Sequence, residues 1–297
     1  MADASGPRIA LFTAGTVGAG HLMRALAIGR ALARTGVHVQ YRVIGPPLPF
    51  PVPAGLDYRA VPIDPLELLD PARAPRSELA AELLGFMPHR LVVDLFWAPL
   101  VRLLPMARCE AWLLVRRVPP DWFAGPPGVP FEPRMFARVL AIEPGVEGPI
   151  DETIDPVLVS NPDECRPRGA LRERLGVDTY ERLLVVHQAG KAGELDALLA
   201  TVDAGERRVV RFGPSPQGFG EPFPLCEWLG DADALVSGAG YNAFWEAAWL
   251  GYASRSRFVP FPRDLDDQAW RVRTCAGRVP RSNGADVLAR RLVEESG

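Results

Sequence analysis

Two stretches of this chain share one plan: a short apolar run closes on glycines and passes at once into residues with helical periodicity. The first is residues 8–15 (RIALFTAG), followed by GTVGAGH over 15–21 and then by Leu22, Leu26, Ala27 and Ala33 at helical spacing, up to Gly36. The second is residues 232–240 (ADALVSGAG), which lead into a helical pattern over 243–251 (AFWEAAWLG). A continuous apolar run suits a strand buried on both faces, as in a parallel sheet. A glycine turn from such a strand into a helix begins a strand-helix-strand unit. A chain that does this in both halves is constrained to parallel sheets, with its glycine loops at the carboxyl ends of strands, where open α/β sheets bind ligands.

The rest of the chain fits around these two units. Apolar runs at residues 37–45 (VHVQYRVIG), 89–97 (HRLVVDLFW), 110–118 (EAWLLVRRV) and 136–145 (FARVLAIEPG) read as further strands of a first sheet, with a short apolar helix over 99–106. Residues 46–55 (PPLPFPVPAG) hold too much proline for a central strand or a helix and form a loop. Residues 149–167 are proline- and acid-rich without periodicity and read as a linker. The alternation then restarts, with helices over 169–175 and 193–201 and strands over 181–190, 207–213 and 256–261. A chain of 297 residues has room for two domains of about 150 each. The expectation is an α/β protein of two Rossmann-like, doubly wound parallel-sheet domains facing a cleft, spanning residues 1–155 and 156–297.

Composition serves mainly to exclude. With 33 basic and 36 acidic residues the formal charge is -3, so the chain lacks the broad cationic field that nucleic-acid binding draws on. Lys191 is the only lysine, and the bias toward arginine carries no functional weight elsewhere. Cys109, Cys165, Cys226 and Cys275 are far apart, without the C-x-x-C spacing of a zinc site or redox pair, and read as reduced. No run of ~18 apolar residues occurs without a charge, and residues 1–15 lack a signal-peptide pattern. The sequence therefore points to a cytoplasmic protein, with membrane association at most peripheral.

The candidate site residues cluster at the predicted strand ends. In GTVGAGH, glycines Gly15, Gly18 and Gly20 let backbone approach a ligand, and the helix amino terminus they open is suited to an anion. Their spacing departs from the G-x-G-x-x-G dinucleotide fingerprint, and no acidic residue ends the second strand, which disfavours nicotinamide binding. His21 follows the last glycine, with Arg24 one turn on along the same face. The dinucleotide pattern does not account for this histidine, which read alone is a helix-start group bonded to backbone. Asp94 ends the predicted strand LVVDLFW and either orients a catalytic group or satisfies a loop.

In the second half, Ser237, Gly238 and Gly240 form a small turn whose following helix aims its amide groups and dipole at the turn, which suits a diphosphate. Asn242 has an alternative as a helix cap, and Glu246 sits among Phe244, Trp245, Ala247 and Trp249, which argues for a buried, paired carboxylate. In the stretch RFVPFPRDLDDQAWRVR, Asp266, Asp267 and Gln268 precede a helix. Two adjacent carboxylates without a third ligand make a poor Mg²⁺ site, and no metal or cofactor is expected. In HQAGKAGE, Gly190 and Lys191 lie between a strand and a helix, where Lys191 is either a cation for a phosphate or surface charge. The chain lacks a G-x-x-x-x-G-K-[ST] P-loop.

These motifs, in this order, resemble glycosyltransferases of the B fold. GAGHLMRALAIGRALARTGVHVQYRV is similar to the first unit of the lipid II N-acetylglucosaminyltransferase and of predicted bacterial glycosyltransferases. Its G-x-G-H-x-x-R is also similar to the nucleotide-sugar hydrolase of pseudaminic acid biosynthesis, and the VVDLF run resembles plant-type glycosyltransferases in which the aspartate holds a catalytic histidine. The resemblance implies that His21 is the general base and Asp94 its partner, and that SGAGYNAFWE, with Tyr241 in its turn, is the donor-binding motif. It implies that Glu246 binds the ribose hydroxyls, that Asp267 and Gln268 bind the donor sugar, and that Asp266 caps the helix. Gly190 and Lys191 fall where relatives carry a phosphate-touching loop. The sequence departs from the family at Tyr252, where proline is usual, at the atypical loop around Gly190, and in its short length, which puts the closing helices in doubt.

Three functions follow from the resemblance. The first is transfer of a sugar from a nucleoside diphosphate donor, in the first place a UDP-sugar, to a hydroxyl of an unknown small-molecule or lipid-linked acceptor, with inversion and without metal. The second is a hydrolase in which His21 activates water. The third is a non-catalytic subunit that binds sugar nucleotides, against which an intact His21 and Glu246 argue. Against the hydrolase, residues 11–14 replace the Arg-x-Asp stretch associated with its first strand.

Overall fold

The computed structural model of the protein describes residues 6–15, 19–203, 205–213 and 221–294. Its first seven strands are β1 (Arg8–Phe12), β2 (Gln40–Gly45), β3 (Tyr58–Ala60), β4 (Arg90–Asp94), β5 (Glu110–Val115), β6 (Arg138–Ala141) and β7 (Glu152–Thr153). They form one sheet in the order β3-β2-β1-β4-β5-β6-β7, parallel throughout. A second sheet joins β8 (Arg182–His187), β9 (Arg207–Phe212), β10 (Ala234–Gly238) and β11 (Ser256–Val259) in the order β11-β10-β8-β9, again all parallel. The two-sheet α/β architecture expected from the alternating pattern is therefore present, and the apolar residues of the inner strands β1, β4, β5 and β8 are buried on both faces, as parallel pairing requires.

The helices in chain order are α1 (Gly20–Arg34), α2 (Pro65–Leu68), α3 (Glu78–Phe86), α4 (Leu104–Ala107), α5 (Ala170–Leu175), α6 (Glu194–Ala200), α7 (Tyr241–Trp249), α8 (Gln268–Cys275) and α9 (Gly284–Glu294). In α1, Leu22, Ala25, Ile28 and Leu32 repeat along one face and are buried, and the helix stops at Gly36, whose φ of +72° suits glycine. Ser77 caps α3 by accepting from the Ala80 N–H at 3.1 Å. The apolar helix expected over 99–106 is a 3₁₀ turn at Ala98–Leu100 followed by the short α4, because Pro99 and Pro105 prevent one continuous helix. The linker region starts later than expected: Glu152 and Thr153 extend the first sheet as its edge strand.

The halves share a core. Ile9, Leu11 and Val43 of the first sheet and Ala25 and Ile28 of α1 belong to one apolar cluster with Tyr241, Phe244 and Trp245 of α7 and with Leu288 and Leu292 of α9. The closing helices that the chain's length put in doubt are present, and α9 crosses back to pack on α1. Arg34 pairs with Asp286 at 2.6 Å and Arg291 with Glu152 at 2.7 Å along this seam. No helix among the described residues is long and apolar enough to cross a membrane.

Strand order fixes where a ligand can sit. In the first sheet the direction of winding reverses between β1 and β4, and in the second between β8 and β10. A crevice opens at the carboxyl ends of the strands at each such point. The segments that leave those four strand ends are the glycine loop before His21, the turn after Asp94, the loop at His187 and the turn at Gly238, and three of the four carry residues singled out from the sequence.

Candidate functional site

These crevices open into one shared cleft of about 420 Å³, lined from the first half by Gly15, Gly20, His21, Arg24, Phe96 and Arg116. The second half supplies His187, Gln188, Gly190, Lys191, the segment from Pro222 to Cys226, Gly238, Gly240, Tyr241, Asn242, Glu246, Asp266 and Gln268. Gly18 lies outside the described residues.

His21 sits in the first turn of α1 with its ring against the backbone of Gly15, where any Cβ would collide with the imidazole. Gly15 is therefore required by the histidine itself. Phe96 packs near the ring at 5.1 Å between centroids. The Nδ1 atom lies 2.7 Å from Asp94 Oδ2, which leaves Nε2 without a hydrogen-bond partner among the described residues. Burial lowers the imidazole pKa most, Asp94 raises it, and the nearby guanidinium groups of Arg24 and Arg116 lower it, with a net downward shift. The histidine is thus neutral near pH 7, with a lone pair available to a ligand in the cleft.

Asp94 is 1% exposed at the end of β4. Burial alone would raise its pKa, but Arg24 and His21 outweigh burial and hold the carboxyl well below the usual carboxylate range. Arg24 Nε donates to Oδ1 at 3.0 Å and to Oδ2 at 3.1 Å. The next residue, Leu95, has φ of +71°, and Phe96 N–H donates back to the Asp94 carbonyl at 2.9 Å. A left-handed leucine costs on the order of 1–3 kcal/mol and is held by its surroundings, here by full burial of the Leu95 side chain. That turn fixes the angle at which Asp94 leaves the sheet.

The opposite wall is built on β10 and α7. Gly240 precedes α7, and no side chain caps the helix. The same is true of α1, whose first residues follow Ala19. Two uncapped helix amino termini therefore open on one cleft, each presenting free amide donors and the positive end of a helix dipole. Asn242 and Glu246 are four residues apart on α7 and so share a face. Asn242 Nδ2 donates to the Gly20 carbonyl at 3.1 Å across the cleft, while its Oδ1 and Glu246 Oε1 are enclosed acceptors without partners. Burial raises the Glu246 pKa to about 8; the Cys226 thiol lowers it and Glu227 raises it. Two orphaned acceptors beside a pair of helix amino termini suit a ligand with hydroxyl donors next to an anionic group.

Several residues singled out from the sequence play other parts. Ser237 is fully buried, lies 3.3 Å from His187 Nδ1 and does not line the cleft, because it alternates inward along β10. Asp266 and Asp267 exchange their expected places. Asp267 caps α8 by accepting from Trp270 N–H at 2.9 Å and points away from the main cleft, whereas Asp266 faces it and accepts from Arg271 Nη2 at 2.7 Å. The reason is a shift of one residue in where the helix starts. Gln268 lines the cleft, but its Oε1 accepts from Phe261 N–H at 2.9 Å and its Nε2 donates to Asp266 at 3.1 Å. The Tyr241 hydroxyl donates to the Ile142 carbonyl and accepts from Val157 N–H, both at 2.8 Å, so it ties α7 to the first half. Gly190 has no room for a Cβ beside Glu194 and Arg263, which pair at 2.6 Å, and Lys191 borders the cleft from this loop.

Sequence reading missed the ionic chain that joins the walls. Arg271, fully buried, donates to both oxygens of Glu143 at 2.9 Å and to Asp266. Glu143 also accepts from Trp245 Nε1 at 3.1 Å. Arg116 Nη1 lies 2.6 Å from Asp266, and its buried Nε has no partner. One signal pointed that way: each of Arg116 and Glu143 directly follows or nearly follows an apolar strand, although nothing in the sequence pairs them. The apolar lining supplied by Pro222, Phe223, Pro224 and Leu225 was also missed, since the segment carries neither strand nor helix periodicity. Among the described residues, no group of three or more His, Cys, Asp and Glu side chains is placed to hold a metal ion.

No family model matches the sequence, and neither does any curated protein. Solved structures do match over nearly full length. The spinosyn forosaminyltransferase SpnP is similar at a TM-score of 0.62 and 16% identity, covering 99% of this chain and 96% of that one. SsfS6, a glycosyltransferase of Streptomyces sp. SF2575 complexed with thymidine diphosphate, is similar at 0.57 and 14%, covering 97% and 95%. Os79 from O. sativa in complex with UDP is similar at 0.56 and 16%, covering 97% and 91%. At these identities the likeness shows the fold: two Rossmann-like domains in the glycosyltransferase B arrangement. These likenesses do not reach the finer resemblance to lipid II enzymes or to the pseudaminic acid hydrolase.

Proposed function

We propose that the protein is a glycosyltransferase that moves a sugar from a nucleoside diphosphate to a hydroxyl acceptor, with His21 as general base. The observation that carries this reading is the placement of a neutral imidazole, backed by an ionised aspartate, across one cleft from the orphaned acceptors of Asn242 and Glu246. Nε2 takes the proton of the acceptor hydroxyl as that oxygen attacks the anomeric carbon, and Asp94 stabilises the imidazolium that forms. The leaving diphosphate lies against the amino termini of α1 and α7, whose amide groups offset its charge. The Glu246 carboxylate accepts from the ribose hydroxyls, and the apolar segment at Phe223 offers a face for the base. A single displacement of this kind inverts the anomeric centre. It routes the leaving-group charge onto helix termini without calling on a metal.

In this reading residues 1–155 form the acceptor side and residues 156–297 the donor side, apart from α9. A UDP-sugar is the first donor to try, with thymidine diphosphate sugars beside it, since similar structures hold UDP or thymidine diphosphate. The acceptor is a small molecule or a lipid-linked one. The test is release of nucleoside diphosphate from a panel of nucleotide sugars, with and without added hydroxyl compounds. Release that depends on an acceptor supports transfer; equal release without one makes the enzyme a hydrolase. If no nucleotide or sugar nucleotide raises the melting temperature, the donor site is wrongly assigned.

A further inference from the structure

His21 Nδ1 has two close neighbours that ask opposite things of it. The Asp94 carboxylate, 2.7 Å away, can only accept a hydrogen bond, whereas Arg24 Nη2, 2.9 Å away, can only donate one. If Nδ1 carries the proton, the Asp94 bond is made and only the Arg24 Nη2 contact with Nδ1 goes unmade, its positive charge standing alongside. If Nδ1 is bare, the Arg24 bond is made, the imidazole must carry its proton on Nε2, and no lone pair faces the cleft. Both bonds are charge-assisted, one by the carboxylate and one by the guanidinium; the Asp94 contact is the shorter, which favours Nδ1–H on Asp94 and a free Nε2.

The same arginine makes that arrangement rigid. Its Nε spans both oxygens of Asp94 at 3.0 and 3.1 Å, its side chain is 3% exposed, and the guanidinium lies 5.3 Å from the centre of the Tyr241 ring on α7. Without it, Asp94 would hold its negative charge with His21 alone. Such a pair pulls a proton onto the imidazole and fills the lone pair the reaction needs. With it, the negative charge of Asp94 is already matched.

We propose that Arg24 is a positioning residue for the base: it fixes the Asp94 carboxylate and, by standing next to Nδ1, keeps His21 uncharged with its lone pair on Nε2. This rests on the reading of His21 as base, but its test does not. The charged and titratable groups around the imidazole are Asp94 at the end of β4, Arg24 on α1 and Arg116 after β5, the last facing Asp266. Tyr41 on β2 is also within electrostatic reach of Asp94. Burial lowers the imidazole pKa most, Asp94 opposes it, and the two arginines lower it further.

The chain has only four histidines, His21, His38, His89 and His187, so their imidazole nitrogens can be resolved by long-range proton-nitrogen correlation, with His21 assigned by loss in His21→Gln. Wild type is expected to show His21 neutral at pH 7 in the Nδ1–H form, with a midpoint below the ordinary ~6.5. In Arg24→Met the midpoint should rise by about one unit or more. In Arg24→Lys, which keeps a charge but loses the guanidinium fork, it should rise by less, and this variant decides the matter if Arg24→Met fails to fold. A wild-type His21 in the Nε2–H form, or a midpoint that stays or falls in both variants, would overturn the proposal. In the transfer assay the acid limb of kcat/KM should move to higher pH in Arg24→Lys with little change in donor KM. If turnover is absent but the titrations behave as stated, the base reading fails and the positioning role stands.

Discussion

If Glu246 receives the ribose hydroxyls as a carboxylate, nucleotide binding must be coupled to loss of a proton. The unliganded side chain titrates at about 8 because it is enclosed and its Oε1 has no partner. At pH 6 only about 1% of it is ionised, and at pH 8 about half, so the competent fraction changes roughly 50-fold over two units. Donor affinity that needs the carboxylate should therefore rise up to about 50-fold from pH 6 to pH 8, beyond what the diphosphate's own ionisation supplies. Glu246→Gln removes the titration but keeps the shape. The measurement is the Kd of a nucleoside diphosphate by calorimetry across this range, expressed as the wild-type to variant ratio, so that ligand ionisation cancels. The Kd ratio should fall steeply with pH and level off above 8; a flat ratio refutes the argument. Stability gives an independent sign. A carboxyl whose folded pKa lies above its unfolded value near 4.5 loses stability as pH rises between the two values. Wild type should therefore weaken from pH 5 to pH 8 relative to Glu246→Gln, by on the order of 2–3 kcal/mol once its exposure to the cleft is allowed for.

Three further outcomes are expected. His21→Ala should lower kcat by about 10²–10⁴ while leaving nucleotide Kd within about twofold, and rates near wild type would remove the base. Asp267→Ala should lose about 1 kcal/mol as a helix cap with unchanged kcat/KM, whereas Asp266→Ala, which strips a buried partner from Arg271 and Arg116, should cost about 3 kcal/mol and raise donor KM; comparable kinetic losses in both would refute the exchange of roles. Leu288→Ala, in a fully buried position of α9, should cost about 2–5 kcal/mol. Because the core is shared, urea unfolding followed by tryptophan fluorescence and by circular dichroism should still coincide; separate transitions would show that the halves are independent.

The parts of the fold that could be read from sequence are those with an uninterrupted signal. Strands such as Leu91 to Val93 are apolar at every position, and the turn after Gly238 is too rich in glycine to be anything else. Burial-dependent properties were less legible. Ser237 looked like part of a loop but is the last inward-facing residue of a strand, a difference of one position in a pattern of period two. Asp266 and Asp267 differ only in which one starts the helix, and an Asp-Asp pair gives no local cue. Arg116 and Arg271 are indistinguishable in sequence from the many arginines of the surface; what separates them is a carboxylate more than 100 residues away, at Asp266 and Glu143. The short edge strands β3 and β7 are largely exposed and carry no apolar run.

The return of α9 onto α1 has a consequence for how the protein is made. Ala25, Ile28 and Leu32 on the helix that presents His21 and Arg24 pack in a cluster completed by Leu288 and Leu292. While a ribosome is still synthesising the second sheet, that outer surface of α1 has no partner. The first sheet can collapse early with α1 against β1 and β2, but the face of α1 that meets α9 stays uncovered until nearly 300 residues have emerged. The cell must therefore shield an apolar helix face throughout that interval, and a ribosome stalled between residues 160 and 280 should yield a nascent chain that chaperones hold and proteases cut within α1.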